Sequence, residues 1–146
     1  MTLATASSDG MPSARIVLLK GYNAEGFVFF TNYKSYKGLQ LEENPKACLI
    51  FFWRELERQV RIIGLVNKIP EQESDEYFLS RPIGSQVGAW TSPQSQVIPD
   101  RTWPDEHYQK VSKQLQEKNI ERPPHWGGYI VKPVIMEFWQ GRPSRL

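Results

Sequence analysis

The sequence predicts a mainly β fold with flanking helices, a small mixed barrel of about six antiparallel strands. Short apolar, β-branched and aromatic runs fill the first two thirds of the chain and are separated by turn residues. Arg58-Gln59-Val60-Arg61-Ile62 alternates polar with apolar side chains at the period of a strand. Only two or three helical segments interrupt the pattern. With 146 residues, 40% apolar and 12% aromatic, the chain can bury one core, so a single domain over 1–146 is expected.

Taken in order, Ala14 to Lys20 and Phe27 to Thr31 flank Gly21-Tyr22-Asn23-Ala24-Glu25-Gly26, and the two runs are expected to pair as a hairpin. Ser35 caps a short helix through Glu43 that Asn44-Pro45 ends, and Ala47 to Trp53 reads as a mostly buried strand. Pro70 opens a helix whose first turn carries Glu71 and Glu73, and Pro82 stops it. Ser85 to Arg101 is rich in Gly, Ser, Gln and Pro and reads as a structured loop with a weak helical stretch at Ser85 to Trp90. Pro104 to Asn119 is a surface helix with Val111 and Leu115 as a narrow stripe. Gly128 to Lys132 continues past Pro133 into Val134 to Trp139, and the proline predicts an edge, a bulge or a break there.

Several chemistries are excluded before any is favoured. A net charge of +2 with interleaved acids argues against a general polyanion binder and leaves room for a local anion pocket. The chain lacks the phosphate-binding and dinucleotide-binding glycine patterns and a nucleophile elbow. His107 and His125 have no partner at metal-ligand spacing, so no metal site is expected. The lone cysteine, Cys48, lies in an apolar run, which precludes an internal disulfide and suggests a buried thiol in a reducing compartment. No apolar stretch approaches the roughly 20 residues a membrane helix needs, so a cytoplasmic protein is expected. What remains is binding alone or chemistry borrowed from a cofactor.

Two segments can hold anions. Pro12 to Gly21 places Arg15 and Lys20 at the ends of an apolar strand, with Arg15, Val17 and Leu19 on one face and Ile16, Leu18 and Lys20 on the other; a plain strand with charged ends at the solvent boundary has the same pattern. Phe29 to Gly38 runs from strand to turn to helix start, where backbone N–H groups, a hydroxyl and Lys37 can hold a phosphate; an ordinary capped helix carries the same residues.

Seven collinear pieces carry a resemblance. Ser13-Ala14-Arg15-x-x-Leu18-Leu19-Lys20-Gly21, Gly26-Phe27-x-Phe29-Phe30-Thr31-Asn32 and Trp53-x-x-Leu56-x-Arg58-Gln59-Val60-Arg61-x-x-Gly64 are followed by four more. These are Glu76 to Ala89, Gln94-Ser95-x-x-Ile98, Trp126-Gly127-Gly128 and the ending Glu137-Phe138-Trp139-Gln140-Gly141-Arg142-Pro143-Ser144-Arg145-Leu146. In order and spacing the chain resembles the pyridoxine/pyridoxamine 5′-phosphate oxidase family over essentially its whole length.

The resemblance implies an FMN-binding split barrel, homodimeric, with FMN in clefts between subunits. It assigns Arg15, Ile16, Val17 and Leu18 to the strand beside the flavin ring, Arg15 to the flavin phosphate, and Phe30, Thr31 and Lys37 to the same cofactor. Gln59 would bond the ring edge, Gln94 and Ser95 would reach FMN from the partner chain, and Trp139 would pack near it. A second anion pocket, for the substrate phosphate, would use Lys20, Tyr77, Arg81 and Ser85. Tyr77 and Arg81 are four apart, so one helical face can present a hydroxyl and a guanidinium together. Arg145 would lie over the substrate's pyridine ring as the catalytic arginine, with Leu146 beside it. The implied reaction oxidises pyridoxine or pyridoxamine 5′-phosphate to pyridoxal 5′-phosphate, with O₂ reduced to H₂O₂.

The chain departs from the family's pattern at three places. Tyr36 stands where the family usually carries Arg, and losing one charge-assisted contact costs about 1.5 to 3 kcal/mol, roughly tenfold or more in affinity. The family continues beyond Arg145-Leu146 with His-Asp-Arg and a final strand, and Met1 falls at the first barrel strand, so the chain reads as truncated at both ends. The competing reading is therefore a barrel that binds FMN or pyridoxal phosphate with little or no turnover. Nucleic-acid binding through Trp53, Trp90 and Trp103 is disfavoured, because acids such as Glu55 and Glu57 repel a phosphate backbone.

Overall fold

A computed structural model describes residues 1–115 and 120–145; the Arg145 side chain and Leu146 lie outside the described residues. Among the described residues seven strands form one sheet in the order β2-β1-β5-β6-β7-β4-β3. They are β1 (Thr2–Ala6), β2 (Pro12–Ile16), β3 (Gly21–Asn23), β4 (Gly26–Asn32), β5 (Lys46–Trp53), β6 (Arg58–Lys68) and β7 (Trp126–Gln140). The helices are α1 (Tyr36–Glu43), α2 (Glu71–Ser80), α3 (Ile83–Thr91) and α4 (Trp103–Leu115). The mainly β class with flanking helices is thus the observed one. No helix among the described residues is long and apolar enough to cross a membrane.

The chain divides into two compact units interleaved in sequence. One takes Met1–Phe29, Gln40–Asn67 and Tyr129–Leu146; the other takes Phe30–Leu39 and Lys68–Gly128. In the first, β1 pairs antiparallel with both β2 and β5, setting Leu3 opposite Arg15 and Leu49, and Thr5 opposite Ser13 and Ala47. Cross-strand partners share a face, so Leu3, Thr5, Ala47 and Leu49 form a buried face on which Ser13 and Arg15 stand at the margin. In the second unit, Phe78, Ala89 and Trp126 make a core against which Phe30, Tyr77, Trp90 and Ile120 pack.

Four sequence expectations change. The run from Ala14 does not pair with β4: its first part pairs with β1, and β4 finds the three-residue β3 instead. Two short local strands beat one long one because Asn23 closes a tight turn, its Oδ1 accepting from the Glu25 and Gly26 N–H groups at 2.8 and 3.1 Å. Ala47 to Trp53 is buried on alternate positions rather than throughout, with Phe52 and Trp53 exposed, because only one face of β5 meets the core. Cys48 is accordingly half-buried, and that burial still pushes its thiol up. The stretch after Ser85 is helical: α3 runs from Ile83 to Thr91 behind Pro82. The surface helix is seen to Leu115, and its expected remainder, 116–119, lies outside the described residues.

β7 passes Pro133 without a break. The edge alternative is the one realised. β4 meets β7 between Gly26, set against the Val131 carbonyl, and Tyr33, whose N–H donates to His125 O at 2.7 Å. Pro133 lies beyond that overlap, where a missing N–H leaves no β4 acceptor unmatched. On its other side β7 runs so close to β6 that a Cβ on Gly64 would stand 2.3 Å from the Lys132 carbonyl oxygen.

Gly64→Ala should therefore destabilise the protein by about 1–3 kcal/mol, since backbone and not a flexible side chain must yield. Gly88→Ala in α3, where a Cβ meets nothing within 4 Å, should stabilise it by about 0.4–1 kcal/mol. Chemical denaturation of both variants reads the opposite signs.

Candidate functional site

In the second unit the residues around Lys37 form a polar cradle. β4 ends at the buried Thr31 and Asn32, and the Asn32 Oδ1 accepts from the Lys34 N–H at 2.8 Å to begin the turn. Ser35, fully buried, donates its hydroxyl to Asn32 O at 2.6 Å and accepts from the Gly38 N–H at 3.3 Å, the N-cap role its position before α1 predicts. Gly38 is required here, because a Cβ would lie 2.1 Å from the Tyr33 carbonyl oxygen. This tight turn folds Lys37 inward until it is only 8% exposed. Its Nζ donates to Thr31 Oγ1 at 3.2 Å, Ser35 Oγ at 3.1 Å and Gln94 Oε1 at 3.2 Å. Thr31 also donates to Gln94 Oε1 at 3.3 Å. The three ammonium protons and both hydroxyl protons are engaged within the chain, so a phosphate would bind here by taking the place of the Gln94 amide oxygen, which accepts from both Lys37 and Thr31. The resemblance places Gln94 on the partner's flavin; within this chain its amide oxygen meets its own Lys37 and Thr31. Ser95 follows in a left-handed conformation with φ of 64°.

The second cluster of this unit is built on rings. Tyr77 on α2 stacks on Phe30 with centroids 3.9 Å apart, and Phe30 stacks on Trp126 at 5.4 Å. The Arg81 guanidinium lies 4.6 Å from the Trp126 ring centroid and 5.9 Å from that of Phe78. The expectation that Tyr77 and Arg81 share one helical face needs correction. α2 ends at Ser80 and Arg81 is extended, with φ −79° and ψ 150°, because Pro82 bars the helical conformation from the residue before it. The two side chains still meet, through Trp126. Trp126 carries part of the resemblance, and nothing in its place beside Gly127-Gly128 signals that a cation lies on it.

Arg81 carries the cluster's most informative atom. Its Nη1 is buried and has no hydrogen-bond partner among the described residues. Burial lowers the guanidinium's affinity for its proton and the Tyr77 hydroxyl acts oppositely, yet arginine remains cationic. A buried N–H that no protein oxygen satisfies costs about 1–3 kcal/mol, and an anion at that atom would remove the cost. Ser85 stands nearby in sequence on the first turn of α3, half-buried.

The first unit holds the other expected residues. Arg15 Nη1 donates to Thr5 Oγ1 at 2.6 Å and Leu3 O at 3.4 Å, and Nη2 reaches Ser13 Oγ and, at 3.5 Å, Gln40 Oε1. Beyond Arg15 the chain alternates as predicted: Val17 and Leu19 are half-buried, while Ile16, Leu18 and Lys20 are exposed. Val17 exchanges main-chain hydrogen bonds with Met1 at 3.0 and 3.1 Å, which extends the strand edge past Ile16. Gln59 stands opposite Phe52 in the β5–β6 ladder, half-buried, and Trp139 is exposed near the end of β7. Thr5 and Gln40, missed from the sequence, surround Arg15.

A family profile described as pyridoxamine 5′-phosphate oxidase matches residues 1–114, and one described as pyridoxine 5′-phosphate oxidase C-terminal dimerisation region matches 126–146. The pyridoxine/pyridoxamine 5′-phosphate oxidase of Leptospira interrogans (strain Fiocruz L1-130) is 60% identical over 146 residues, covering 100% of this chain and 68% of that protein. The protein of the same description from Salinibacter ruber is 57% identical, again over 100% and 68%. Among solved structures, PhzG from Burkholderia lata 383 in complex with tetrahydrophenazine-1-carboxylic acid superposes with a TM-score of 0.91 at 32% identity, over 99% of this chain and 71% of that one. A pyridoxamine 5′-phosphate oxidase-related, FMN binding protein from Nostoc punctiforme shares the fold at TM-score 0.75 and 18% identity, over 99% and 76%.

If the Arg81 donor awaits an anion, Arg81→Met should leave the ligand-free protein as stable as the parent or up to about 1–2 kcal/mol more stable. It should also abolish the rise in melting temperature that inorganic phosphate gives the parent. Thermal melts of both proteins with and without phosphate check this, and a destabilised Arg81→Met protein that still responds to phosphate would contradict it.

Proposed function

Since the chain belongs to the pyridoxamine 5′-phosphate oxidase family, we propose that it is an FMN-dependent oxidase converting pyridoxine or pyridoxamine 5′-phosphate to pyridoxal 5′-phosphate. The observation that carries this reading is the buried, unmatched Nη1 of Arg81 on the Trp126 ring, a donor suited to a substrate phosphate. Tyr77, Ser85 and Lys20 are the further substrate contacts of the proposal, with Arg145 and Leu146 at the pyridine ring.

The residues present fit FMN by donor chemistry. Lys37 with the Thr31 and Ser35 hydroxyls supports a phosphate contact, and the Arg15 guanidinium is the second cation that the proposal assigns to the cofactor. Ile16, Val17, Leu18, Phe30 and Trp139 would line the ring, Gln59 would bond its edge, and Gln94 and Ser95 would complete the site. The chemistry FMN supplies when bound is removal of two hydrogens from C4′ and their delivery to O₂, which leaves as H₂O₂. For pyridoxine phosphate this turns the C4′ alcohol into the aldehyde; for pyridoxamine phosphate a water also enters and ammonia leaves. The protein's part is to anchor two phosphates and align the ring carbons.

A second copy of the chain is the proposed partner. Beyond Pro133, β7 shows no alternation of buried and exposed positions: Val134, Ile135, Met136, Phe138 and Trp139 are all exposed. A strand covered on one face would alternate. Ile16, Leu18, Ile63 and Leu65 add exposed apolar surface in the same unit. The region matched to the dimerisation profile contains this stretch of β7.

Protein reconstituted with FMN should turn yellow and, given pyridoxine 5′-phosphate and air, release one H₂O₂ per pyridoxal 5′-phosphate formed. Bound flavin without peroxide would support the non-catalytic binding reading instead. Arg15→Ala should lose most of the flavin. Tyr36→Arg, at an exposed position on the first turn of α1, should tighten FMN binding about tenfold in a fluorescence titration.

A further inference from the structure

The guanidinium of Arg15 is held by a relay whose far members lie outside the expected flavin contacts. The β1–β2 register sets Thr5 opposite Ser13 and diagonal to Arg15, a separation that a long side chain spans. Thr5 is 4% exposed and Gln40 2%, so their polar atoms must find partners within the protein. The direction of every bond is determined. The Met11 carbonyl can only accept, so Gln40 Nε2, 3.5 Å away, turns the amide oxygen toward Thr5. The Thr5 hydroxyl gives its one proton to Gln40 Oε1 at 2.6 Å and has a lone pair left for Arg15 Nη1, also at 2.6 Å. The relay therefore runs from guanidinium to hydroxyl to amide to main chain, and all of it lies in one compact unit.

We propose that Thr5 and Gln40 are positioning residues for the flavin phosphate, acting through Arg15 by holding it in its binding rotamer before the cofactor arrives. The inference rests on the assignment of Arg15 to that phosphate. An arginine side chain loses much rotamer freedom when it is immobilised on a ligand. A guanidinium already immobilised by the relay has less to lose, and the affinity for FMN rises accordingly. Neither Thr5 nor Gln40 needs to touch the cofactor for this effect.

The test measures the dissociation constant of FMN by flavin fluorescence, together with the melting temperature of the flavin-free protein. Thr5→Val keeps the shape of the side chain and deletes the hydroxyl; Gln40→Leu deletes the amide. Each should weaken FMN binding about three- to tenfold, and Thr5→Ser, which restores the hydroxyl, should recover the parent value. Because the effect passes through Arg15, Thr5→Val added to Arg15→Ala should weaken FMN no further than Arg15→Ala alone. A relay that merely stabilised the sheet would lower the melting temperature and leave the FMN constants unchanged, which would overturn the proposal. So would equal losses from Thr5→Val in the parent and in the Arg15→Ala background. If Arg15→Ala itself binds FMN like the parent, the assignment of Arg15 fails first, and the inference falls with it.

Discussion

Taking an ammonium or guanidinium group out of water costs several kcal/mol unless other groups replace the lost solvent, and the chain meets that requirement differently for each of three cations. Lys37 is received by two hydroxyls and an amide oxygen. Arg15 is received by the Thr5 and Ser13 hydroxyls, the Gln40 amide and a main-chain carbonyl. Arg81 is received by the faces of Trp126 and Phe78, which attract its charge but leave an N–H unmatched among the described residues. The elements around each cation are arranged so that these groups reach it.

Local backbone constraints aim the side chains. Pro82 forces Arg81 out of the helical conformation and onto the ring of Trp126 instead of along α2. The cap formed by Ser35, with the close approach that only Gly38 permits, turns Lys37 back toward the end of β4. Antiparallel register does the same for Arg15 by placing two hydroxyls on its face. None of these devices needs a ligand to form, so the three cations are preorganised in the chain alone.

The fold is shared more widely than the side chains. The Nostoc protein retains it at 18% identity and PhzG at 32%, whereas the oxidases from Leptospira and Salinibacter keep 60% and 57% over the whole chain. A fold of this kind hosts different chemistries, and what narrows the choice is the set of cations and hydroxyls it carries. The exposed apolar half of β7 shows the same division: the strand belongs to the fold, and its uncovered face belongs to whatever packs on it.

Features governed by near neighbours in the chain were legible from residues alone. The alternation that exposes Ile16, Leu18 and Lys20, the Ser35 cap, the start of α2 behind Pro70 and its end before Pro82 all follow from local sterics and hydrogen bonding. Motif order likewise carries the family. Pairing was not legible: β3 rather than the Ala14 run partners β4, and β7 passes Pro133 unbroken because β4 has already ended. Neither was the company of the cations, with Trp126 under Arg81 and Thr5 and Gln40 behind Arg15. Local sequence determines which conformations a segment can take, but contacts between separate elements depend on strand register and packing, and those arise only when the whole chain competes for the same partners.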